Sequence, residues 1–351
     1  MRLLTTLLLS IAATQTTYAD ALTDYQWIGS HNSYKQGLPA SVYQFLAKND
    51  PHAAKQINYG HGALEAQLDS GLRQLEIDVV NDLTGSQYDK PELATRLGET
   101  WLSEEAQREL ALPGFKVLHI PHVDVQSHCT GFAACLNKLK RWSEAHADHF
   151  PVVVLMNAKE NQPSFINSPA PVPFTAATYD QLNEVIRTAL KERVITPDDI
   201  RGDFSTLREA VLERGWPDAD SLRGKFIFVF DGNVEQNARF MENHAGLKGR
   251  VMFASLPAND DGAAFMIIND PFTQHTEINQ RVAEGFLVRT RADADFSASN
   301  EEKAAQKMAA FTSGAQMIST DFYPGSPQAK RDGHVVSFAN GALHRKNPVT
   351  Q

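Results

Sequence analysis

The sequence predicts an α/β fold and, within it, a closed (β/α)8 barrel of the TIM type folded as a single domain. Three observations predict it. Short apolar, β-branched or aromatic runs recur along the 351 residues, and helix-period segments lie between many of them. No glycine-rich phosphate loop of the GxGxxG or GxxxxGKS kind follows an early strand. The alternation implies parallel strands joined by helical crossovers, and the missing loop argues against an open nucleotide-binding sheet.

Nine runs read as strands: "YQWIGS" (25–30), "RQLEIDVV" (73–80), "FKVLHI" (115–120), "PVVVLM" (151–156), "KFIFVFDG" (225–232), "RVMFAS" (250–255), "AAFMIIND" (263–270), "FLVRTR" (286–291) and "AQMISTDF" (315–322). Eight close a barrel, so one is surplus, and "RVMFAS", the weakest, is expected to be the extra piece. Helical periodicity marks "GALEAQLDSGL", "FAACLNKLKRWSEAHADH", "YDQLNEVIRTALKERV", "EINQRVAEG" and "NEEKAAQKMAAFTSGA". The proline-rich stretch 161–175 has strand-like segments on both sides, and so reads as a long loop inside one domain rather than a boundary.

Residues 1–19 have the pattern of a signal peptide: Arg2, an apolar run from Leu3 to Ala13, then Thr17-Tyr18-Ala19 at the cleavage spacing. That run is too short to cross a bilayer. The expectation is an exported chain, periplasmic or extracellular, with a barrel domain over 20–351. Cys129 and Cys135 are too few for a zinc site without a second pair. In an oxidising compartment they favour a disulfide, two buried thiols being the alternative. The net charge of −9 argues against a nucleic-acid partner. It leaves open an anionic headgroup bound by a local basic cluster.

Active sites of parallel barrels lie at the carboxyl ends of the strands. Those ends supply His31 and Asn32, then Glu76 and Asp78, His119, Asn157 with Lys159 and Glu160, Arg289 with Arg291 and Asp293, and finally Asp321. Glu76 and Asp78 are two apart on a strand and share a face. Two carboxylates in an apolar strand need a positive partner. A hard cation bound through oxygen suits them, with Asn32 adding a carbonyl; an ion pair with Arg73 or another barrel arginine is the alternative. His31 and His119, from different strand ends, suggest a base and an acid on opposite sides of a substrate. His119-Ile-Pro-His122 offers HxxH spacing, but Pro121 opposes the helix that a zinc pair would use. His122 is therefore expected to be structural or to line the rim.

Taken in order, "GSHNSY", "LEIDV", "VLHIPHVD" before the paired cysteines, "SLRGKFIFVFDG", "GFLVRTRADAD" and "SGAQMISTDFYP" resemble the secreted, calcium-dependent phosphatidylinositol-specific phospholipase C-like phosphodiesterases. The likeness runs from about Trp27 to Tyr323. It implies that His31 is the general base on the inositol 2-hydroxyl and that His119 acts on the phosphoryl oxygens and the leaving group. Asn32, Glu76 and Asp78 would hold calcium, with magnesium the alternative ion. The products would be a cyclic inositol phosphate and diacylglycerol. Lys159, Arg289 and Arg291 suit phosphate contact, equally with ion pairs to Asp293 or Asp321.

One departure stands out. The family pattern has a glutamate ligand six residues beyond the proline that opens the fourth strand run, and here Pro151 plus six is Asn157. An amide oxygen still coordinates but brings no charge, so calcium binding is expected to be weaker. The competing functions are a metal-dependent phosphodiesterase acting on a glycerophosphodiester or choline lipid, and a catalytically weak homologue that binds a headgroup. Peripheral membrane contact is expected from loop 161–175, through Phe165 and Phe174. The oligomeric state is not readable.

Overall fold

The structure, a computed structural model, describes residues 20–350; the segment 1–19, expected to be a signal peptide, lies outside the described residues. Eight parallel strands form the barrel: β1 Tyr25–Ser30, β2 Gln74–Val80, β3 Val152–Ala158, β4 Phe226–Phe230, β5 Phe253–Ala254, β6 Phe265–Ile267, β7 Leu287–Arg291 and β8 Met317–Thr320. The pairing runs in sequence order around the barrel and returns from β8 to β1, where Trp27 faces Met317 and Ser30 faces Thr320. Two seams are narrow. β5 and β6 meet through the Ser255–Phe265 bridge, and β1 and β2 through Gly29 and Gln74. A Cβ on Gly29 would lie 2.2–2.6 Å from Gln74 side-chain atoms, so only glycine lets these two strands approach. Beside the first half of β1, the space that β2 leaves is filled by the antiparallel strand His344–Lys346.

Two of the nine predicted strands exchange roles. The surplus run is "FKVLHI", of which only Lys116–Val117 pairs, antiparallel to Val79 and Val80 and outside the barrel circuit. "RVMFAS" supplies the barrel strand β5. Apolar character fixes burial but not pairing direction, which explains the exchange.

Strands β3 and β4 are nearly continuous apolar runs because helices cover one face and the barrel interior the other. β2 differs. Leu75, Ile77 and Val79 join the main hydrophobic core, and Gln74, Glu76 and Asp78 alternate with them. Two of the crossover helices start on clear side-chain caps: Thr175 accepts from the Thr178 amide, and Ser299 forms a capping box with Glu302. Cys129 and Cys135 form a disulfide at the start of helix Phe132–Ala145. Segment 161–175 is a loop between β3 and helix Ala176–Leu190. Phe165 is 40% exposed there, but Phe174 is fully buried against Phe115 and Tyr179 and cannot enter a bilayer. Among the described residues no helix is long and apolar enough to cross a membrane.

A second core cluster lies under the C-terminal segment, where His334 packs edge-on to Phe322. Burial, with Lys307 and Lys303 adding, pushes His334 down to about 4. A histidine whose folded pKa is depressed gives stability that is complete above its unfolded value, about 6.5, and is lost as pH falls toward 4. Urea midpoints should therefore fall through that window, and His334→Gln should flatten the slope. An unchanged slope in the variant would show that other groups carry it.

Candidate active site

The carboxyl ends of β1, β2, β3, β7 and β8 bring the predicted residues to one mouth. Adjacent residues on a strand point to opposite faces, yet His31 and Asn32 both reach this site. The backbone explains how: Asn32 has φ +45°, in the left-handed region that asparagine tolerates, and the turn redirects its side chain. Its amide nitrogen donates to the Tyr59 hydroxyl at 2.6 Å.

His31 Nδ1 lies 3.2 Å from Asp321 Oδ2, and Nε2 is 3.8 Å from Glu76 Oε1. With Nδ1–H held by Asp321, Nε2 carries the free lone pair. Burial lowers the His31 pKa and Arg291 adds to this, outweighing the attraction of Asp321 and Glu76, which favours the neutral ring with its lone pair available. His119 has a parallel arrangement, with Nδ1 2.8 Å from Asp124 Oδ2. Asp124 is charged despite burial because Lys35, 3.0 Å away, and His119 hold its carboxyl below the ordinary range. The Tyr59 ring packs against both imidazoles, 5.6 Å from His31 and 6.2 Å from His119. His119 comes from a loop stapled by the Ile120–Asp124 bridge, not from a barrel strand.

Glu76 and Asp78 are not bare. Glu76 Oε2 accepts from Arg289 at 2.7 Å, and Asp78 Oδ2 is 2.9 Å from Lys159 Nζ and 2.8 Å from the Tyr34 hydroxyl. Burial disfavours the Glu76 charge, but the neighbouring cations, Arg289 first among them, outweigh it and keep its pKa below normal. Arg289 takes the ion-pair role open to a barrel arginine, whereas Arg73 instead donates to the Leu68 and Leu72 carbonyls. Each carboxylate keeps one oxygen. Asp78 Oδ1 and Asn32 Oδ1 are buried with no hydrogen-bond partner, and Glu76 Oε1 has only long contacts, 3.3 Å from the Asn157 amide nitrogen and 3.8 Å from His31 Nε2. Buried acceptors are normally satisfied, so three unspent oxygens in one mouth fit a hard cation. Among the described residues no three His, Cys, Asp or Glu groups converge tightly enough to hold a metal by themselves, and this set mixes carboxylates with an amide.

The basic residues are engaged as well. Arg291 is 3.0 Å from Asp321 and 3.5 Å from Asp293, the ion-pair alternative for that residue. Burial and the charge of Asp321 push Asp293 up to about 6. Arg289 is almost wholly buried, whereas the Lys159 side chain is 32% exposed and is the cation most open to a ligand. His122 lies outside the mouth, buried against Tyr88. Glu160 accepts from Arg239 and Gln236 and so does not face the carboxylate pair.

Four residues of this site lacked an assigned role in the sequence. Asp321 was readable at the end of the last strand run, but not its pairing with His31, 290 residues away; Asp124 follows His119 by five residues and had no reading of its own. Asp231 follows β4, and burial, with Glu76 and Asp78 adding, pushes it up to about 6 against the pull of Arg289 and Lys159. Tyr59 sits in a connecting segment and carries no sequence signal.

The family model for phosphoinositide phospholipase C, Ca2+-dependent, matches residues 21–348. The chain is similar in fold to the calcium-dependent phosphoinositol-specific phospholipase C of a Pseudomonas species, with a TM-score of 0.57 and 16% identity over 93% of this chain and 95% of the other. The Ca2+-dependent phosphatidylinositol-specific enzyme of Streptomyces antibioticus gives a TM-score of 0.56 and 16% identity over 87% and 96%. No curated protein sequence matches significantly. The chain belongs to the calcium-dependent phosphoinositide phospholipase C family of phosphodiesterases.

Proposed function

We propose that this protein cleaves a phosphatidylinositol-type phosphodiester by intramolecular transfer. The observation that carries this reading is the pair of carboxylate-backed imidazoles that share contact with the Tyr59 ring. His31 Nε2 takes the proton of the substrate hydroxyl next to the phosphodiester, while Asp321 holds Nδ1–H and stabilises the imidazolium that forms. That hydroxyl oxygen bonds to phosphorus as the bond to the glycerol oxygen breaks. His119 delivers a proton to the departing oxygen from Nε2, with Asp124 on its other nitrogen. The products are a five-membered cyclic phosphate and diacylglycerol. Lys159, at the rim, attracts the phosphate.

Asn32, Glu76 and Asp78 are the residues that would hold calcium; when bound, the ion lowers the hydroxyl pKa and offsets charge on phosphorus. Phosphorus NMR of the water-soluble products, with calcium and with chelator, tests the proposal. A cyclic phosphate signal that disappears on chelation is expected. A linear phosphate ester as the first product would assign the chain to another phosphodiester.

The neutralised carboxylates favour a second reading, a headgroup-binding homologue with little turnover. Binding of inositol phosphate without cleavage of the lipid would select it.

A further inference from the structure

Asp78 and Asn157 are neighbours in the β2–β3 register, and β3–β4 pairs Met156 with Phe230. One residue further on, Asn157 stands beside Asp231, whose backbone N–H donates to the Met156 carbonyl at 2.9 Å. Partners in adjacent parallel strands project to the same face. Asp78, Asn157 and Asp231 therefore form one row across three strands at the barrel mouth. Lys159 and Arg289, the nearby cations, are paired with Asp78 and Glu76. The Asp231 carboxylate has no ion-pair or hydrogen-bond partner among the described residues, so it is free to turn toward an ion. Independently of it, the fully buried Asp78 leaves Oδ1 unpartnered, and Asn32, 2% exposed, leaves its Oδ1 the same.

We propose that Asp231 supplies the anionic metal ligand that Asn157 does not, so that the cation site of this chain is shifted one strand along, toward β4. The proposal rests on the calcium reading above. Charge supports it. Glu76 and Asp78 are cancelled by Arg289 and Lys159, so a dication held by these residues alone would leave two positive charges in a largely buried pocket. With Asp231 the pocket retains a single positive charge, which a phosphodiester monoanion neutralises. An uncancelled charge in a low-dielectric site is costly, and the number of charged ligands is a main determinant of calcium affinity.

The test is a calcium titration by calorimetry, with calcium-dependent thermal shift as a second readout, on the full chain and its variants. Asp231→Asn is isosteric and removes no contact, so it should fold. It is expected to weaken calcium binding roughly tenfold or more, and Asn157→Glu in that background should restore it. Asn157→Glu alone should tighten binding. Equal affinity of Asp231→Asn and the unaltered chain would overturn this inference while leaving the calcium reading intact. Weakened binding that Asn157→Glu does not restore would also overturn it. No calcium binding by the unaltered chain would overturn the calcium reading and this inference together.

Discussion

Replacing His31 by alanine should lower kcat on phosphatidylinositol roughly 10²–10⁴-fold, the contribution expected of a positioned general base. KM should change little, because the imidazole meets the substrate proton only as it is transferred. The ring stands on the Asp321 carboxylate, and burial keeps it unprotonated, so its loss removes the base without replacing it. Asp321→Asn should give a smaller drop, since Nε2 is still present but less well aimed and its imidazolium less stabilised. Steady-state kinetics with matching circular dichroism spectra checks both. A His31→Ala enzyme within about tenfold of the unaltered chain would remove His31 from the chemistry.

The second large effect concerns Lys35, which carries no chemistry. Its side chain is fully buried, with Nζ 3.0 Å from Asp124, 2.7 Å from the Tyr59 carbonyl and 3.0 Å from the Ile57 carbonyl. It also lies over the Tyr59 ring. One ammonium thus ties the turn after β1, the segment carrying Tyr59 and the loop carrying His119. Lys35→Met keeps most of the volume but strands Asp124 as a buried anion with only His119 for company. Removing one partner of a buried pair costs about 3–5 kcal/mol. Urea unfolding should show a loss of that order, with kcat falling in parallel as His119 loses its fixed backing. A loss below about 1 kcal/mol would place the pair with surface ion pairs in energetic weight.

Much of the mouth was legible because barrel geometry converts strand ends into a list. Glu76 and Asp78 share a face by the two-residue period of a strand, and Arg289 and Arg291 do so for the same reason. The strand runs themselves follow from burial on both faces. Local sequence could not decide what depends on partners far along the chain. Arg289 lies 213 residues from Glu76, and nothing near either shows that they meet. "FKVLHI" and "RVMFAS" look alike as apolar runs, and only pairing separates an antiparallel excursion from a barrel strand. Phe174 looked able to insert in a membrane because a proline-rich loop looks exposed, yet this loop folds its aromatic ring inward.

The sequence by itself determined the parallel barrel and, at its strand ends, the two candidate histidines and the carboxylate pair. These are properties of periodicity and residue type, which are local; the departure at Asn157 was visible only through the resemblance to the family. Only the tertiary structure decided which charges cancel, which oxygens remain unspent, that Tyr59 packs against both imidazoles, and that Asp231 lines up beside Asn157. Those depend on strand register and on contacts closed over long stretches of chain, and the electrostatics of a buried site depend on them in turn.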